Sequence, residues 1–147
     1  MDTDLARLLH EQAPDAIIFA DRDGLIRQWN AAAEAIFGFT KDEATGQSLD
    51  LIIPEEFRSA HWAAYEGALA TGETKYKGRS LPTRGAKKDG ATIYVELSFA
   101  IIRDPAGTVL GALAHARDIT QRWEADRQQR RRLRELEAQV GGAAENP

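Results

Sequence analysis

A segment of strict alternation constrains the fold of this chain more than any other feature. Between residues 92 and 102 every second side chain is apolar, and the side chains between them are smaller or more polar. The apolar set is Ile93, Val95, Leu97, Phe99 and Ile101. A period of two is that of a β-strand with one face toward a core. The chain therefore builds a sheet, and its other segments must cover one face of that sheet.

Turn signals divide the remaining apolar segments into four more strands. Residues 16–20 and 25–29 flank a turn that ends at a glycine, which predicts a hairpin. Residues 74–83 precede a second hairpin turn, and Pro82 makes this segment an edge or interrupted strand. Residues 108–118 form the last strand. Five antiparallel strands are therefore expected.

The two ends of the chain carry helical patterns. Residues 1–12 predict an amphipathic helix, and residues 121–147 predict a linker helix with a frayed tail from residue 141. The first helix has a stripe of Leu5, Leu8 and Leu9, too short to hold a helix alone, so it packs on the domain or on a second copy. The last helix has an incomplete coiled-coil seam of Ile119, Trp123, Leu133, Leu136 and Val140, which Asp126 interrupts. The folded domain between these two helices is expected at 13–120.

Shorter helices are expected between the second and third strands. Asn30 is a good helix N-cap, and Thr40 followed by Glu43 is a capping-box pattern. The predicted order is a helix, two strands, several helices, three strands and a long helix. This order predicts an α+β fold with the short helices on one face of an antiparallel sheet.

The longest of these central helices is expected at residues 57–69. Its pattern places Phe57, His61, Ala64 and Ala68 on one face, which is small except for the phenylalanine. Small side chains indicate either close packing against a sheet or room for a group that is not protein. The imidazole among them is a candidate metal or haem-iron ligand. The alternative is a surface histidine or a satisfied core histidine.

Composition excludes several classes of function. The net charge is −4, and the arginines of the last helix are interleaved with acidic residues, so no nucleic-acid or lipid binding is expected. The chain has no cysteine, which excludes disulfides and thiol chemistry and fits a reducing cytoplasm. It shows no membrane-spanning run and no signal peptide. No paired acid and base and no phosphate-binding loop are readable, so we do not expect an enzyme.

Three other side chains have ordinary interpretations. His10 is expected at the surface, and His115 on the sheet face opposite Ala114. Trp29 is expected to pack in the core rather than to stack on a flavin.

Residues 12–122 resemble the PAS family of sensory domains. No single motif is specific, but their order and spacing are typical of the family. The motifs are Pro14-Asp15-Ala16, Asp23-Gly24-Leu25-Ile26, Trp29-Asn30-Ala31-Ala32-Ala33-Glu34, Phe37-Gly38, Glu43-Ala44-Thr45-Gly46, Ile53-Pro54, Lys88-Asp89-Gly90 and Arg117-Asp118-Ile119-Thr120. The resemblance implies a PAS fold and a sensory input domain of a bacterial-type signalling protein.

The resemblance also implies how a signal leaves the domain. Asp118, Ile119 and Thr120 look like the family's link from the last strand into a signalling helix. The implied partners are a second copy, through Leu5, Leu8, Leu9 and the C-terminal helix, and an output domain such as a histidine kinase or a cyclic-di-nucleotide enzyme. A cofactor-free module for dimerisation and signal relay is the alternative function.

Within the family, the segment from His61 to Gly90 is similar to haem-binding PAS sensors of oxygen-sensing kinases and phosphodiesterases. The resemblance makes His61 the proximal ligand of haem b and Lys75 a propionate partner. The implied distal wall and the space beside it are Tyr76, Val95, Leu97, Phe99, Ala112 and Ala114. Two positions depart from the pattern: Leu81 stands where such sensors have an arginine for bound oxygen, and Arg79 where the phosphodiesterases have a methionine ligand.

Overall fold

The protein is one antiparallel sheet with helices packed on its inner face. The computed structural model describes residues 2–74 and 79–145, with side chains described for 4–74 and 79–141. Its elements are α1 (Asp2–Gln12), β1 (Ala16–Asp21), β2 (Ile26–Trp29), α2 (Ala31–Phe37), α3 (Lys41–Ala44), two 3-10 turns (Leu49–Ile52 and Glu55–Phe57), α4 (Arg58–Thr71), β3 (Leu81–Ala86), β4 (Thr92–Arg103), β5 (Val109–Asp118) and α5 (Thr120–Glu145).

The sheet has the strand order β2-β1-β5-β4-β3, and every neighbouring pair is antiparallel. The predicted five-stranded α+β architecture is therefore confirmed. Ile18 lies opposite Ala114, which lies opposite Phe99, so these side chains share the inner face. The helices cover this face, since Phe37 of α2, Ala44 of α3 and Tyr65 of α4 belong to the same buried cluster as the inner-face residues.

The third strand and the last helix differ from their predicted bounds. The third strand begins at Leu81 rather than at Thr74, because its ladder with β4 starts at the pair of Leu81 and Leu97. Its position at the sheet edge is as Pro82 predicted. The last helix continues through Gly141 to Glu145, where a frayed tail was expected. Within the described residues no helix is both long enough and apolar enough to cross a membrane.

One buried amide joins three elements. Asn30 is fully buried, and its Oδ1 accepts hydrogen bonds from the backbone N–H of Ile17 (2.9 Å) and of Ala33 (3.1 Å). Its Nδ2 donates to the carbonyl oxygens of His10 (2.9 Å) and Asp15 (3.1 Å). The residue therefore caps α2 as predicted, and it also fixes the start of β1 and the end of α1.

We expect Asn30→Ala to lower the free energy of unfolding by about 2–4 kcal/mol, because it removes a helix cap and leaves the buried N–H of Ile17 unsatisfied. Urea unfolding followed by circular dichroism measures the change. The exposed neighbour Gln28 supplies the control, since Gln28→Ala should change stability by no more than about 0.5 kcal/mol. Equal stabilities for the two variants would contradict the role given to Asn30.

Candidate functional site

Helix α4 carries the candidate ligand, and its packed face is not the predicted one. Tyr65 and Leu69 are buried and Trp62 is half-buried, whereas Ala64 is exposed and Phe57 is 37% exposed. The Phe57 ring lies instead against the guanidinium of Arg84, 4.9 Å from its centre. The buried face is thus turned by one residue from the expected one, because the large aromatic side chains have more apolar area to bury than the alanines.

Three hydrogen bonds fix the aromatic side chains of α4. The Trp62 indole Nε1 donates to Oδ1 of Asp50 at 2.7 Å. The Tyr65 hydroxyl lies 2.5 Å from the carbonyl oxygen of Asp21 and 3.2 Å from that of Ala20, at the end of β1. The Trp62 ring covers Gly24, where a Cβ would come within 2.2 Å of the ring and φ is +77°. Only glycine fits this turn, both for its conformation and for the closeness of the ring.

His61 lies beside these two aromatic rings. Its ring centre is 4.7 Å from that of Trp62, edge to face, and 5.8 Å from that of Tyr65. Its Nδ1 is buried, and no hydrogen-bond partner for it lies in the described part of the chain. Burial lowers the pKa of the imidazole, against a smaller opposite effect of the Asp50 carboxylate. The neutral imidazole is therefore favoured at neutral pH, and this is the form that binds a metal.

The predicted wall residues lie together on the inner face of the sheet. Leu81 is paired with Leu97, and Phe99 with Ala114, while Ala112 lies two residues before Ala114 in β5. All five are half-buried. Leu81 and Phe99 stand outside the packed core cluster, whereas Val95 is only 2% exposed and belongs to it. The predicted contacts of Lys75 and Tyr76 lie outside the described residues.

Asp118, Ile119 and Thr120 join the sheet to α5. The Asp118 carboxylate accepts from the backbone N–H of Thr120 at 2.9 Å and from its hydroxyl at 2.6 Å. The Ile119 N–H donates to the Tyr94 carbonyl at 2.8 Å, and the Tyr94 N–H donates to Oγ1 of Thr120 at 3.1 Å. The Tyr94 ring stacks on Trp123 with centres 4.8 Å apart and planes at 16°. The first turn of the helix is thus bonded and stacked onto β4.

Sequence reasoning did not find the stack of Tyr94 on Trp123. The available signal was weak: Tyr94 is an aromatic residue on the polar side of the alternating strand, and Trp123 is the first aromatic side chain after the Asp118–Thr120 link.

Two ion pairs also lie near this junction. Arg122 contacts the Glu96 carboxylate at 2.9 Å, and the hydrogen bonds from Ser80 and Arg122 lower the pKa of Glu96. Arg117 contacts Asp15 through two nitrogens, at 2.9 and 3.3 Å.

The remaining candidates are distributed as follows. His115 lies on the outer face, as predicted, and is exposed there. Trp29 is fully buried with its indole N–H bonded to the Phe39 carbonyl at 2.9 Å. His10 is half-buried, and its buried Nε2 has no hydrogen-bond partner among the described residues, so the expectation of a surface histidine was wrong. Among the described residues no three acidic or histidine side chains converge to hold a metal ion. A metal at His61 would therefore need ligands from a cofactor.

The fold is an antiparallel five-stranded sheet that continues directly into a long C-terminal helix. Residues 10–124 match the family described as the PAS fold, and the chain belongs to that family. The PAS domain of a protein from Colwellia psychrerythraea has the same fold, with a TM-score of 0.71, 24% identity, and coverage of 82% of this chain and 99% of that one. PAS domains sense and transmit signals.

Two curated relatives are signalling proteins. The chain is 30% identical to the sensor protein FixL of Bradyrhizobium diazoefficiens over 139 residues, covering 95% of this chain and 26% of FixL. It is 28% identical to the oxygen sensor protein DosP of Escherichia coli over 112 residues, covering 76% of this chain and 14% of DosP. The chain thus spans about a quarter or less of the length of these relatives.

The bonded hydroxyl of Tyr65 gives a testable pH dependence. Burial, followed by the nearby Asp21 carboxylate, raises its pKa from 10.0 to about 12. The folded state therefore keeps this phenol neutral while the unfolded state ionises, so the Tyr65 contribution to stability falls as pH rises from about 10 to about 12. Near-ultraviolet absorbance should show a late tyrosinate transition that Tyr65→Phe removes. If Tyr65→Phe instead removes a transition at the ordinary pKa, the burial of this hydroxyl is contradicted.

Proposed function

We propose that this PAS domain is a haem-based gas or redox sensor in which His61 holds the iron of haem b. The observation that carries the proposal is the state of the imidazole. Burial favours its neutral form, and no hydrogen bond within the described residues involves its buried Nδ1. A neutral imidazole nitrogen is the usual protein ligand of haem iron. The similarity to an oxygen sensor protein supports the same function.

The inner face of the sheet supplies the apolar surface that a porphyrin needs. Leu81, Leu97 and Phe99 are half-buried apolar side chains. On this proposal the small side chains of Ala112 and Ala114 would give space for the porphyrin. Covering half-buried side chains of this kind with an apolar group removes apolar surface from water, which is favourable. Lys75 and Tyr76 belong to the same proposal as propionate partner and distal wall. When bound, haem supplies a site for a diatomic gas and a redox-active iron.

Leu81 bears on which gas would bind. Its side chain has no hydrogen-bond donor, so a polar ligand such as bound oxygen would lose about 1 kcal/mol or more compared with a site that has a donor at this position. Carbon monoxide and nitric oxide depend less on such a bond. On this argument the domain favours these two gases over oxygen.

The signal leaves through the junction at Asp118, Ile119 and Thr120. Because Tyr94 bonds and stacks with the first turn of α5, a shift of β4 would move that helix. The output is an attached domain such as a histidine kinase or a cyclic-di-nucleotide enzyme. The absence of cysteine fits a reducing compartment, and a cytoplasmic location is part of the proposal.

The same proposal includes a homodimer. Leu5, Leu8 and Leu9 of α1 are exposed, as is the apolar end of the α5 seam, where Leu133, Leu136 and Val140 are 54–70% exposed. On α5 these residues occupy heptad positions a, d and a, and Asp126 is the preceding a position. In a parallel pair, Arg132 at g faces Glu137 at e of the second copy, so opposite charges flank the apolar layers. The Asp126 layer places two carboxylates together and weakens the pair near the domain.

Addition of hemin should give a sharp Soret band in the parent protein and not in His61→Ala, because the variant lacks the axial nitrogen. Visible absorption measures this directly. His115→Ala is the matched control, since His115 is exposed on the outer face and its removal should leave the band unchanged. The same broad band in all three proteins would contradict haem binding through His61 and would leave the cofactor-free relay as the function.

Disulfide trapping tests the homodimer. Because the chain has no cysteine, only the introduced thiols can form a disulfide. In a parallel pair Leu133→Cys should oxidise rapidly to a covalent dimer, because the two a positions meet. Ala138→Cys lies on the same helix at heptad position f, away from the seam, and should oxidise slowly. Equal rates for the two variants, measured by non-reducing electrophoresis, would contradict this pairing. A mixed disulfide between Leu133→Cys and Val140→Cys would indicate an antiparallel pair instead.

A further inference from the structure

The imidazole of His61 lacks the hydrogen bond that usually orients a metal-bound histidine. Ligating histidines almost always donate their second ring N–H to a carboxylate, a carbonyl or water. Here Nδ1 is buried, and no acceptor within the described residues reaches it. Some other contact must therefore hold the ring in one orientation.

Ring contacts take the place of that hydrogen bond. His61 and Trp62 are consecutive on a helix, so their side chains leave the axis about 100° apart. The ring centres are nevertheless only 4.7 Å apart at an angle of 76°, which means that the imidazole leans against the edge or face of the indole. Tyr65, one turn further along, lies 5.8 Å from the imidazole and 5.4 Å from the indole. The three rings form one contact cluster.

Both neighbouring rings are anchored outside the helix. The Trp62 N–H is bonded to Asp50, whose own backbone N–H is bonded to Oγ of Ser48 at 3.1 Å. Arg58 donates to the Asp50 carbonyl at 3.2 Å and to the Ile53 carbonyl at 3.0 Å, which fixes the 3-10 turn against α4. Tyr65 is bonded to carbonyl oxygens at the end of β1. The cluster is therefore tied to the turn on one side and to the sheet on the other.

We propose that Trp62 and Tyr65 are positioning residues for His61, and that the bond from Trp62 to Asp50 fixes the direction of the imidazole. This inference deepens the haem proposal and rests on it for its functional meaning. The orientation itself is a property of the apoprotein. The sequence around His61 does not reveal the role of Asp50, because Asp50 lies eleven positions before His61 and acts through the indole of Trp62.

The first experiment needs no haem. Asp50→Ala removes the acceptor of the Trp62 N–H, whereas Asp50→Asn keeps an oxygen that can accept it. Nuclear magnetic resonance of the His61 ring protons reports the ring current of Trp62. We expect these resonances to move toward solvent-exposed positions in Asp50→Ala and to stay near the parent positions in Asp50→Asn. Unchanged resonances in both variants would overturn the proposal. Trp62→Phe, which keeps a ring but has no N–H, should behave like Asp50→Ala.

The second experiment uses the haem-loaded protein. Loss of hemin to an excess of apomyoglobin should be about tenfold faster from Asp50→Ala than from Asp50→Asn, because displaced orienting partners of a ligating histidine commonly cost at least that factor in affinity. The electron paramagnetic resonance spectrum of the ferric form should broaden in the alanine variant only. Equal loss rates and equal spectra would overturn the positioning role while leaving His61 as ligand. If the parent binds no hemin, the haem proposal fails and the proton resonances still decide the orientation.

Discussion

The buried amide of Asn30 is the interaction on which the arrangement of the chain depends. A side-chain amide offers two donor hydrogens and one acceptor oxygen, and here the oxygen and the nitrogen each have two backbone partners. A buried polar group with all partners present is compatible with a core, whereas a half-satisfied one is costly. Because its partners come from α1, β1 and α2, the amide holds these three elements together.

Helix α4 buries its aromatic side chains and leaves His61 at the edge of the packed face. Its larger aromatic side chains supply the buried area, and its alanines remain exposed or half-exposed. His61 stands at the boundary, and its buried Nδ1 has no hydrogen-bond partner among the described residues. Most buried polar atoms in proteins have such a partner. This nitrogen is therefore an exception, as is the buried Nε2 of His10.

The fold was predictable because several local rules agreed. The alternation along β4, the cap at Asn30 and the box of Thr40 and Glu43 each state one element, and the structure contains all three. Two features were not readable. The orientation of α4 depends on where Asp50 and the end of β1 lie in space. The stack joins Tyr94, on the polar side of β4, to Trp123 of α5, and the two elements were predicted separately. Sequence periodicity records the spacing of residues along an element but not the partners that other elements bring.

The pairing of β1 with β5 has a consequence for protein architecture. Ala16, four residues after α1, lies opposite Ala116, four residues before α5. The polypeptide thus arrives and departs on adjacent strands, which in a sheet are about 4.8 Å apart. A module with this geometry can be spliced into a longer polypeptide, or repeated along it, with little displacement of the flanking segments. Such a module can therefore be exchanged between proteins as a unit. The ion pair of Asp15 with Arg117 joins the start of β1 to the end of β5, which keeps the two connections adjacent.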